Sequence, residues 1–475
     1  MAEVGKHTAD TGKQPAEDGE QTGKGGERTE AGGGYGVGDM AGVGDGDGDR
    51  DQDRERIDAT TTADPTDGDE ANEPDGTDRP SGTDGADGTD EANKRHGTDD
   101  RARRFAAYRG SLRTLCGRPP ETIAERLSRL TADAPGVYDL ADWTDVYGND
   151  DGIVGELERR TAEALGTAAA VFFPTGTMAQ QVALRCWAGR TGNATVAGHP
   201  LSHLEMHERD AYAVVSGLRM VHPTSAPRLP TAAEIYDLQE PFGTLALELP
   251  LRDAGYILPS WEELESTVAA ARELDAVVHF DGARLWETGP HFGRSLPEIA
   301  ALADSVYVSF YKSLNGMAGA ALAGTEEFVA EARAWRHRYG GQLFQQWPIA
   351  LAALVGLDRE LPRLPVYAAH AKVVARALRE GLAEAGVPWF RVHPEEPHTH
   401  EFQVWLPYPP DVLNEAGTRQ AEETRTTLFR KWYEPTPAGP PGVTMTEVTV
   451  SSLALEWTAE DIRTAVGDFV RRIEE

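Results

Sequence analysis

Amphipathic helical segments alternate with short apolar runs between residues 153 and 312, and no other sequence feature constrains the fold as strongly. Apolar residues among charged neighbours predict a helix over 153–165, and the runs 168–173, 245–249 and 276–280 predict strands. Capping boxes at 260–263 and 295–298 each predict a helix start. This alternation predicts an α/β fold with a mostly parallel sheet covered on both faces.

A lysine and an aspartate follow two of these strands. Lys312 stands just past a predicted strand over 305–310, and Asp281 follows the strand 276–280. Such a pair at neighbouring strand ends indicates pyridoxal 5'-phosphate, which a lysine holds as a Schiff base while an acid pairs with the ring nitrogen. Alone, Lys312 would be a solvated side chain and Asp281-Gly282 a common turn. However, residues 305–323 carry no other charge, which favours a partly buried amine.

The turn Thr175-Gly176-Thr177 follows the apolar run 168–173 and opens a helix predicted over 175–185. Backbone N–H groups at a helix start, together with two hydroxyls, can hold a phosphate dianion. The alternative is an ordinary strand-to-helix turn capped by threonine. Either reading places the turn at the same edge of the sheet as Asp281 and Lys312.

Residues 1–100 differ sharply from the rest of the chain. They carry 28 acidic against 10 basic residues, contain few large apolar residues and repeat the triplet Gly-Thr-Asp. Such a segment cannot bury enough apolar surface to offset the entropy lost on ordering, so we expect an acidic, low-complexity disordered tail. It is either a solubilising tail or an interaction arm, and its charge argues against nucleic acid or an anionic membrane as partner.

The remaining chain divides into three parts. We expect a helical or irregular segment over 101–150, a large domain over 151–364 and a small α+β domain over 365–475, with helices over 367–385 and 459–473 and strands over 390–392, 401–406 and 444–451. The two cysteines form neither a ligand cluster nor a disulfide framework, and no apolar run could span a bilayer. A cytoplasmic location is therefore the expectation.

Taken together, these motifs resemble the threonine aldolase and aromatic amino acid β-eliminating lyase family of fold-type-I pyridoxal phosphate enzymes. The resemblance covers about residues 140–350. It rests on the following residues, in chain order: Tyr147-Gly148, Thr175-Gly176-Thr177, His203 with Glu208, His279-Phe280-Asp281-Gly282-Ala283-Arg284-Leu285, Asp304-Ser305, Lys312 and Arg338-Tyr339-Gly340-Gly341.

The resemblance implies a role for each site residue. Lys312 would bind the cofactor covalently, Asp281 would pair with its pyridine nitrogen, and His203 would stack on its ring and help as a base. The phosphate would be bound by Thr175, Gly176 and Thr177. Arg284 would contact the cofactor's phenolic oxygen or the substrate carboxylate, and Tyr147 would lie near the site. The resemblance also implies a homodimer or homotetramer.

Several positions depart from the family pattern. Leu251 stands where threonine aldolases usually have a histidine linked to deprotonating the substrate hydroxyl, and Tyr311 replaces the usual serine before the lysine. The strand predicted over 444–451 lacks the arginine expected to bind the substrate carboxylate, a task that Arg252 could take over. The pair His398 and His400 has no third metal ligand in the sequence, so we interpret both as ordinary surface histidines and expect no metal.

The resulting functional expectation is a pyridoxal phosphate-dependent lyase that cleaves a β-hydroxy-α-amino acid into glycine and an aldehyde. A β-elimination or related reaction on another amino acid is the first alternative. The second alternative is a scaffold that has lost turnover and serves as a binding protein. The expected partner in each enzymatic case is a small-molecule substrate, an amino acid whose identity the sequence leaves open.

Overall fold

The structure is a computed structural model that describes residues 100–148, 150–434 and 442–475. The predicted disordered tail lies outside the described residues, except for its last residue, Asp100. Within the described ranges, no helix combines the length and the apolar character needed to cross a membrane.

Helices and strands alternate through most of the described chain, and residues 100–109 are also helical. The strands are β1 (Arg113–Thr114), β2 (Ala169–Phe173), β3 (Thr195–Ala197), β4 (Arg219–Val221), β5 (Thr244–Glu248), β6 (Val277–Gly282), β7 (Ser305–Ser309), β8 (Ala320–Gly324), β9 (Arg391–His393), β10 (Glu401–Leu406), β11 (Thr426–Thr427) and β12 (Thr444–Thr449). The helices are α1 (Ile123–Asp133), α2 (Ile153–Leu165), α3 (Gly176–Thr191), α4 (His203–Met206), α5 (Ala211–Val214), α6 (Ala232–Tyr236), α7 (Trp261–Glu273), α8 (Gly289–Phe292), α9 (Leu296–Ala300), α10 (Glu326–Arg338), α11 (Trp347–Arg359), α12 (Leu364–Glu384), α13 (Pro410–Thr424) and α14 (Ala459–Glu474). Three short 3-10 turns span Leu285–Glu287, Leu361–Arg363 and Ser452–Glu456.

The central sheet has seven strands in the order β2-β8-β7-β6-β5-β3-β4. The five strands from β7 to β4 are mutually parallel, and β8 runs antiparallel to both of its neighbours. Helices α3 and α10 cover one face, and α2, α7 and α11 cover the other. The predicted α/β class with a mostly parallel sheet is therefore confirmed.

The C-terminal part builds a second, smaller sheet. Its antiparallel strands lie in the order β12-β10-β9, and helices α12 and α14 pack against each other beside it. A short parallel pair, β1 with β11, ties the segment before α1 to this part of the chain. The consequence for function is that the start of β10 and the end of β12 lie close to the large sheet, as the ion pairs described below show.

The predicted elements lie close to the observed ones, with informative differences. Helix α2 has the predicted bounds, and the boxes at Ser260 and Ser295 form with both of their hydrogen bonds. Helix α3 extends past the predicted 185 because Cys186 and Trp187 are buried, and it ends at Gly192, which adopts the left-handed conformation. Helix α12 begins three residues before the prediction, since proline is favoured in the first turn.

A buried ion pair fixes β2, which lies at the edge of the sheet. Glu158 of α2 accepts a hydrogen bond from the N–H of Phe172 at 2.8 Å, and Arg336 of α10 donates to the carbonyl of Phe172 at 2.7 Å. The two side chains also lie 3.3 Å apart, and both are buried. Edge strands expose unpaired backbone groups, so this pair satisfies two of them and joins β2 to helices on both faces.

Replacing Glu158 with alanine is expected to lower the free energy of unfolding by about 3–5 kcal/mol, because it leaves Arg336 charged and buried without its carboxylate partner. Urea unfolding followed by circular dichroism measures the change. Glu163→Ala on the same helix is the matched control, since its side chain is exposed, and its unfolding midpoint should match the wild type. Equal effects of the two substitutions would contradict this account of β2.

Candidate active site

Several of the predicted site residues lie at one edge of the central sheet. Glu248 and Asp281 are paired across β5 and β6, and Asp281 is paired with Tyr307 of β7, so these side chains share a face. Lys312 follows β7 by three residues. Carboxyl ends of parallel strands are where ligands bind in α/β proteins, so the topology supports a site here.

The segment after β7 forms a closed loop that carries Lys312. The N–H of Phe310 donates to Gly319 at 3.1 Å, and the N–H of Gly316 donates back to Phe310 at 2.8 Å. Arg126 of α1 donates to the carbonyl of Asn315 at 2.6 Å from outside the loop. Lys312 is partly buried as predicted, with its Nζ 5.1 Å from the ring centre of Tyr311.

Asp281 is a buried carboxylate with little compensation. It is only 3% exposed, and its Oδ1 accepts one long hydrogen bond, 3.3 Å, from the N–H of Ala283. Burial, and then the negative charge of Glu208, raise the pKa of Asp281 to about 7. The positive charges of Arg284 and Lys312 act in the opposite direction but do not offset the effect of burial. A protonated pyridine nitrogen beside Asp281 would favour its ionised form further, so this buried carboxylate fits the cofactor.

His203 begins α4 and is held by acids on two sides. The backbone N–H of His203 donates to Glu248 Oε2 at 2.7 Å. The imidazole Nδ1 of His203 lies 3.3 Å from Glu208 Oε1. Gln181 of α3 in turn donates to Glu208 Oε2 at 2.9 Å. Burial and the neighbouring Asp281 raise the pKa of Glu248 to about 7. The arrangement orients the imidazole at the same sheet edge as Asp281.

The turn at the start of α3 has the properties of a phosphate cradle. Thr175 caps the helix by accepting from the N–H of Met178 at 3.3 Å, while Thr175 and Thr177 are both exposed. A Cβ on Gly176 would clash with the hydroxyl of Tyr307, so only glycine fits there. The first turn of α3, a helix of 16 residues, leaves N–H groups without helical acceptors, which a phosphate can satisfy.

The two candidate carboxylate-binding arginines are both buried beside glutamates of the small sheet. Arg284 donates from Nε to Glu401 Oε2 at 2.6 Å, and Arg252 donates from Nη2 to Glu447 Oε2 at 2.9 Å. The terminal nitrogens of Arg284 have no hydrogen-bond acceptor among the residues that the structure describes. Its guanidinium therefore combines a fixed inner edge with an outer edge that can bind a carboxylate.

Tyr147 makes its contacts with Phe344. It adopts a positive φ of 61°, its N–H donates to the carbonyl of Phe344 at 2.9 Å, and its ring packs on that of Phe344 at 5.5 Å. Within the described ranges, no hydrogen bond or ring contact joins it to Lys312 or Asp281. Its side chain is 50% exposed.

Two departures noted in the sequence have structural consequences. Leu251 is fully buried and pairs with Ile257 through its backbone, so it packs in the core and offers no proton acceptor. The interpretation of His400 as a surface histidine is wrong, because His400 is 3% exposed and its Nε2 lies 2.6 Å from Glu287 Oε2. The sequence around His400 did not indicate that this residue is buried. His400 lies in a turn, and strand β10 begins only at the next residue.

Comparisons with known proteins agree with this geometry. Residues 140–404 match the family described as β-eliminating lyase. The low specificity L-threonine aldolase of Escherichia coli is 31% identical over 265 residues, which cover 54% of this chain and 78% of that protein. A probable low-specificity L-threonine aldolase of Arabidopsis thaliana is 28% identical over 296 residues, covering 59% and 79% of the two chains.

Solved structures show the same likeness. The chain is similar to a putative L-allo-threonine aldolase from Listeria monocytogenes, with a TM-score of 0.70, 34% identity, and coverage of 78% of this chain and 99% of that one. A putative aromatic amino acid β-eliminating lyase/threonine aldolase from Exiguobacterium gives the same TM-score and coverage at 32% identity.

Asp281→Asn is expected to stabilise the cofactor-free protein increasingly as the pH rises from about 4 to about 7. A carboxyl group whose pKa is raised by folding contributes stability at low pH and loses that contribution as the pH rises through its folded pKa. Asparagine does not ionise, so its advantage over Asp281 grows across this window. Urea unfolding of both proteins at several pH values measures the difference.

The control for this comparison is Glu265→Gln, at an exposed position on α7, which should keep the pH dependence of the wild type. Identical pH dependence of Asp281→Asn and the wild type would show that folding leaves the titration of Asp281 unchanged.

Proposed function

Because the chain belongs to the β-eliminating lyase family, we propose that it is a pyridoxal phosphate-dependent lyase of the threonine aldolase type, cleaving a β-hydroxy-α-amino acid into glycine and an aldehyde. The observation that carries the proposal is the buried Asp281, with a pKa raised to about 7 by burial, on the same sheet edge as Lys312. When bound, the cofactor withdraws electrons from the α-carbon of the substrate. The remaining chemistry belongs to the side chains.

Each side chain has a defined task in this proposal. Lys312 binds the cofactor through its Nζ, and Asp281 keeps a proton at the ring nitrogen, because an ionised carboxylate beside that nitrogen favours its protonated form. His203 packs on the ring. The hydroxyls of Thr175 and Thr177, together with the N–H groups around Gly176, hold the phosphate at the positive end of α3.

The proton of the substrate's β-hydroxyl needs an acceptor that Leu251 cannot provide. His203 is the proposed base, because Glu208, 3.3 Å from its Nδ1, is fully buried and can stabilise the imidazolium that forms. This assignment gives one residue two tasks, packing on the ring and accepting the proton.

Substrate binding is assigned to Arg284, with Arg252 and Tyr147 as further contacts. Arg284 is held at Nε by Glu401 and over the ring of Tyr256, whose centre lies 5.3 Å away. A preorganised guanidinium binds a carboxylate with two parallel hydrogen bonds. Arg252 has both terminal nitrogens beside acids, Asp253 and Glu447, which supports a secondary role.

A homodimer or homotetramer in the cytoplasm completes the proposal. Support for assembly comes from exposed large apolar side chains, among them Trp143, 94% exposed, and the packed rings of Tyr147, 50% exposed, and Phe344, 59% exposed. Cys116 and Cys186 are buried free thiols, as a reducing compartment would keep them. The strongly acidic sequence supports neither nucleic acid nor membrane as a partner.

Lys312→Ala is expected to abolish the visible absorbance of the cofactor's Schiff base and to lower turnover by at least about 10³-fold, because no other amine replaces its covalent bond. Aldehyde and glycine release from threonine and phenylserine measures turnover. Lys372→Ala, at an exposed pair with Glu396, is the control and should retain both signals. A keto acid as the product in the wild type would instead show β-elimination.

Arg284→Gln is expected to raise the KM for the amino acid by about 10- to 100-fold, since a hydrogen-bonded charged pair contributes about 1.5–3 kcal/mol. Steady-state kinetics measures KM and kcat separately. The control Glu401→Gln keeps an acceptor for Nε, so its KM should stay within about threefold. An unchanged KM in Arg284→Gln would contradict the assignment of the carboxylate to Arg284.

A further inference from the structure

Ser313, the residue that follows Lys312, is held in place by its side chain. Ser313 donates its hydroxyl to Glu287 Oε2 at 2.6 Å. Glu287 lies on the 3-10 turn six residues after Asp281 and is fully buried. One hydrogen bond therefore joins the loop after β7 to the segment after β6, directly beside the cofactor lysine.

Glu287 is in turn held by the small sheet. His400, the residue before β10, has its Nε2 2.6 Å from the same Oε2 and its Nδ1 2.7 Å from the carbonyl of Val450. Burial disfavours the imidazolium, but the carboxylate of Glu287 outweighs burial and raises the pKa of His400 to about 9. At neutral pH the two side chains form a buried ion pair.

The adjacent pair reinforces this contact. Glu401, next to His400, binds Arg284, three residues before Glu287. These two ion pairs, Arg284–Glu401 and Glu287–His400, join residues 284–287 to the start of β10. The charged groups acting on His400 are Glu287 and Glu401, and the ring of Tyr367 lies 6.0 Å from its imidazole. Arg284 acts in turn on Glu287.

Although Glu287, His400 and Glu401 cluster closely, their geometry fits a proton and not a cation. Metal ligands sit about 2.0–2.2 Å from the ion, and a separation of 2.6 Å between Nε2 and Oε2 is that of a charge-assisted hydrogen bond. Nearby Arg284 already neutralises Glu401. The cluster is therefore a chain of hydrogen bonds that ends at the lysine loop.

We propose that Glu287 and His400 position Lys312 by holding Ser313, so that the small sheet sets the placement of the cofactor lysine. The proposal rests on the proposed function for the role of Lys312, and on geometry alone for the order of the loop. Residues 315–320 are mostly small, and the hydrogen bond from Ser313 joins the residue next to Lys312 to a buried side chain outside the loop. Misplacement of a reacting group by about 1 Å can lower a rate by about 100-fold.

Three variants separate positioning from general stability. Ser313→Ala should lower kcat about tenfold with KM within about twofold, and Ser313→Thr, which keeps the hydroxyl, should stay within about threefold of the wild type. Ser295→Ala removes a helix cap on α9, far along the chain from the loop, and should lower the melting temperature without changing kcat. A kcat of Ser313→Ala within twofold of the wild type would overturn the proposal.

A double-mutant cycle tests the link to His400. His400→Gln should lower kcat about tenfold in the wild type but at most about twofold in Ser313→Ala, since its effect passes through Ser313. Equal losses in both backgrounds would overturn the link. If His400→Gln does not fold, Ser313→Ala and Ser313→Thr still decide the first point.

Hydrogen–deuterium exchange on cofactor-free protein distinguishes failure of this inference from failure of the proposed function. Peptides covering 311–319 should exchange faster in Ser313→Ala and His400→Gln than in Ser313→Thr, Ser295→Ala and wild type. Unchanged exchange would overturn the inference. A wild-type protein that binds no pyridoxal phosphate would overturn the proposed function, while the exchange data would still decide whether Ser313 holds the loop.

Discussion

The structure depends on one costly feature, the carboxylate of Asp281 buried at the end of a central strand. Burial raises its pKa to about 7, and the nearby positive charges of Arg284 and Lys312 do not offset that effect. Such a group is destabilising unless something charged binds there. The surrounding elements form a site in which such a charged partner can bind. They are a glycine turn at the start of α3, His203 between two acids, and Lys312 on a closed loop.

The small sheet contributes to the site through ion pairs. Glu401 and His400 stand side by side at the start of β10 and bind Arg284 and Glu287, which flank the segment after Asp281. Buried pairs of this kind add little net stability over apolar residues, but they specify one arrangement of the parts they join. In this protein they hold Arg284, the proposed substrate arginine, and the loop of Lys312, the proposed cofactor lysine, against the same scaffold.

The sequence predicted the fold class, most helices and strands, and the meeting of Thr175, Asp281 and Lys312, because these depend on local periodicity and on parallel strand ends. It did not predict the Ser313–Glu287–His400 chain, since the three residues lie far apart in sequence and the small sheet brings them together. The paired state of Arg252 was equally hidden, because its partner Glu447 comes from β12, 195 residues away. Long-range pairing of charged groups leaves no periodic signal.

Borohydride reduction of the wild-type protein with pyridoxal phosphate, followed by peptide mapping, tests the central claim most directly. The account predicts a single labelled lysine, Lys312, and loss of that label when the reduction is done on protein freed of the cofactor. A label on another lysine, or no label at cofactor concentrations that saturate the visible absorbance, would contradict it.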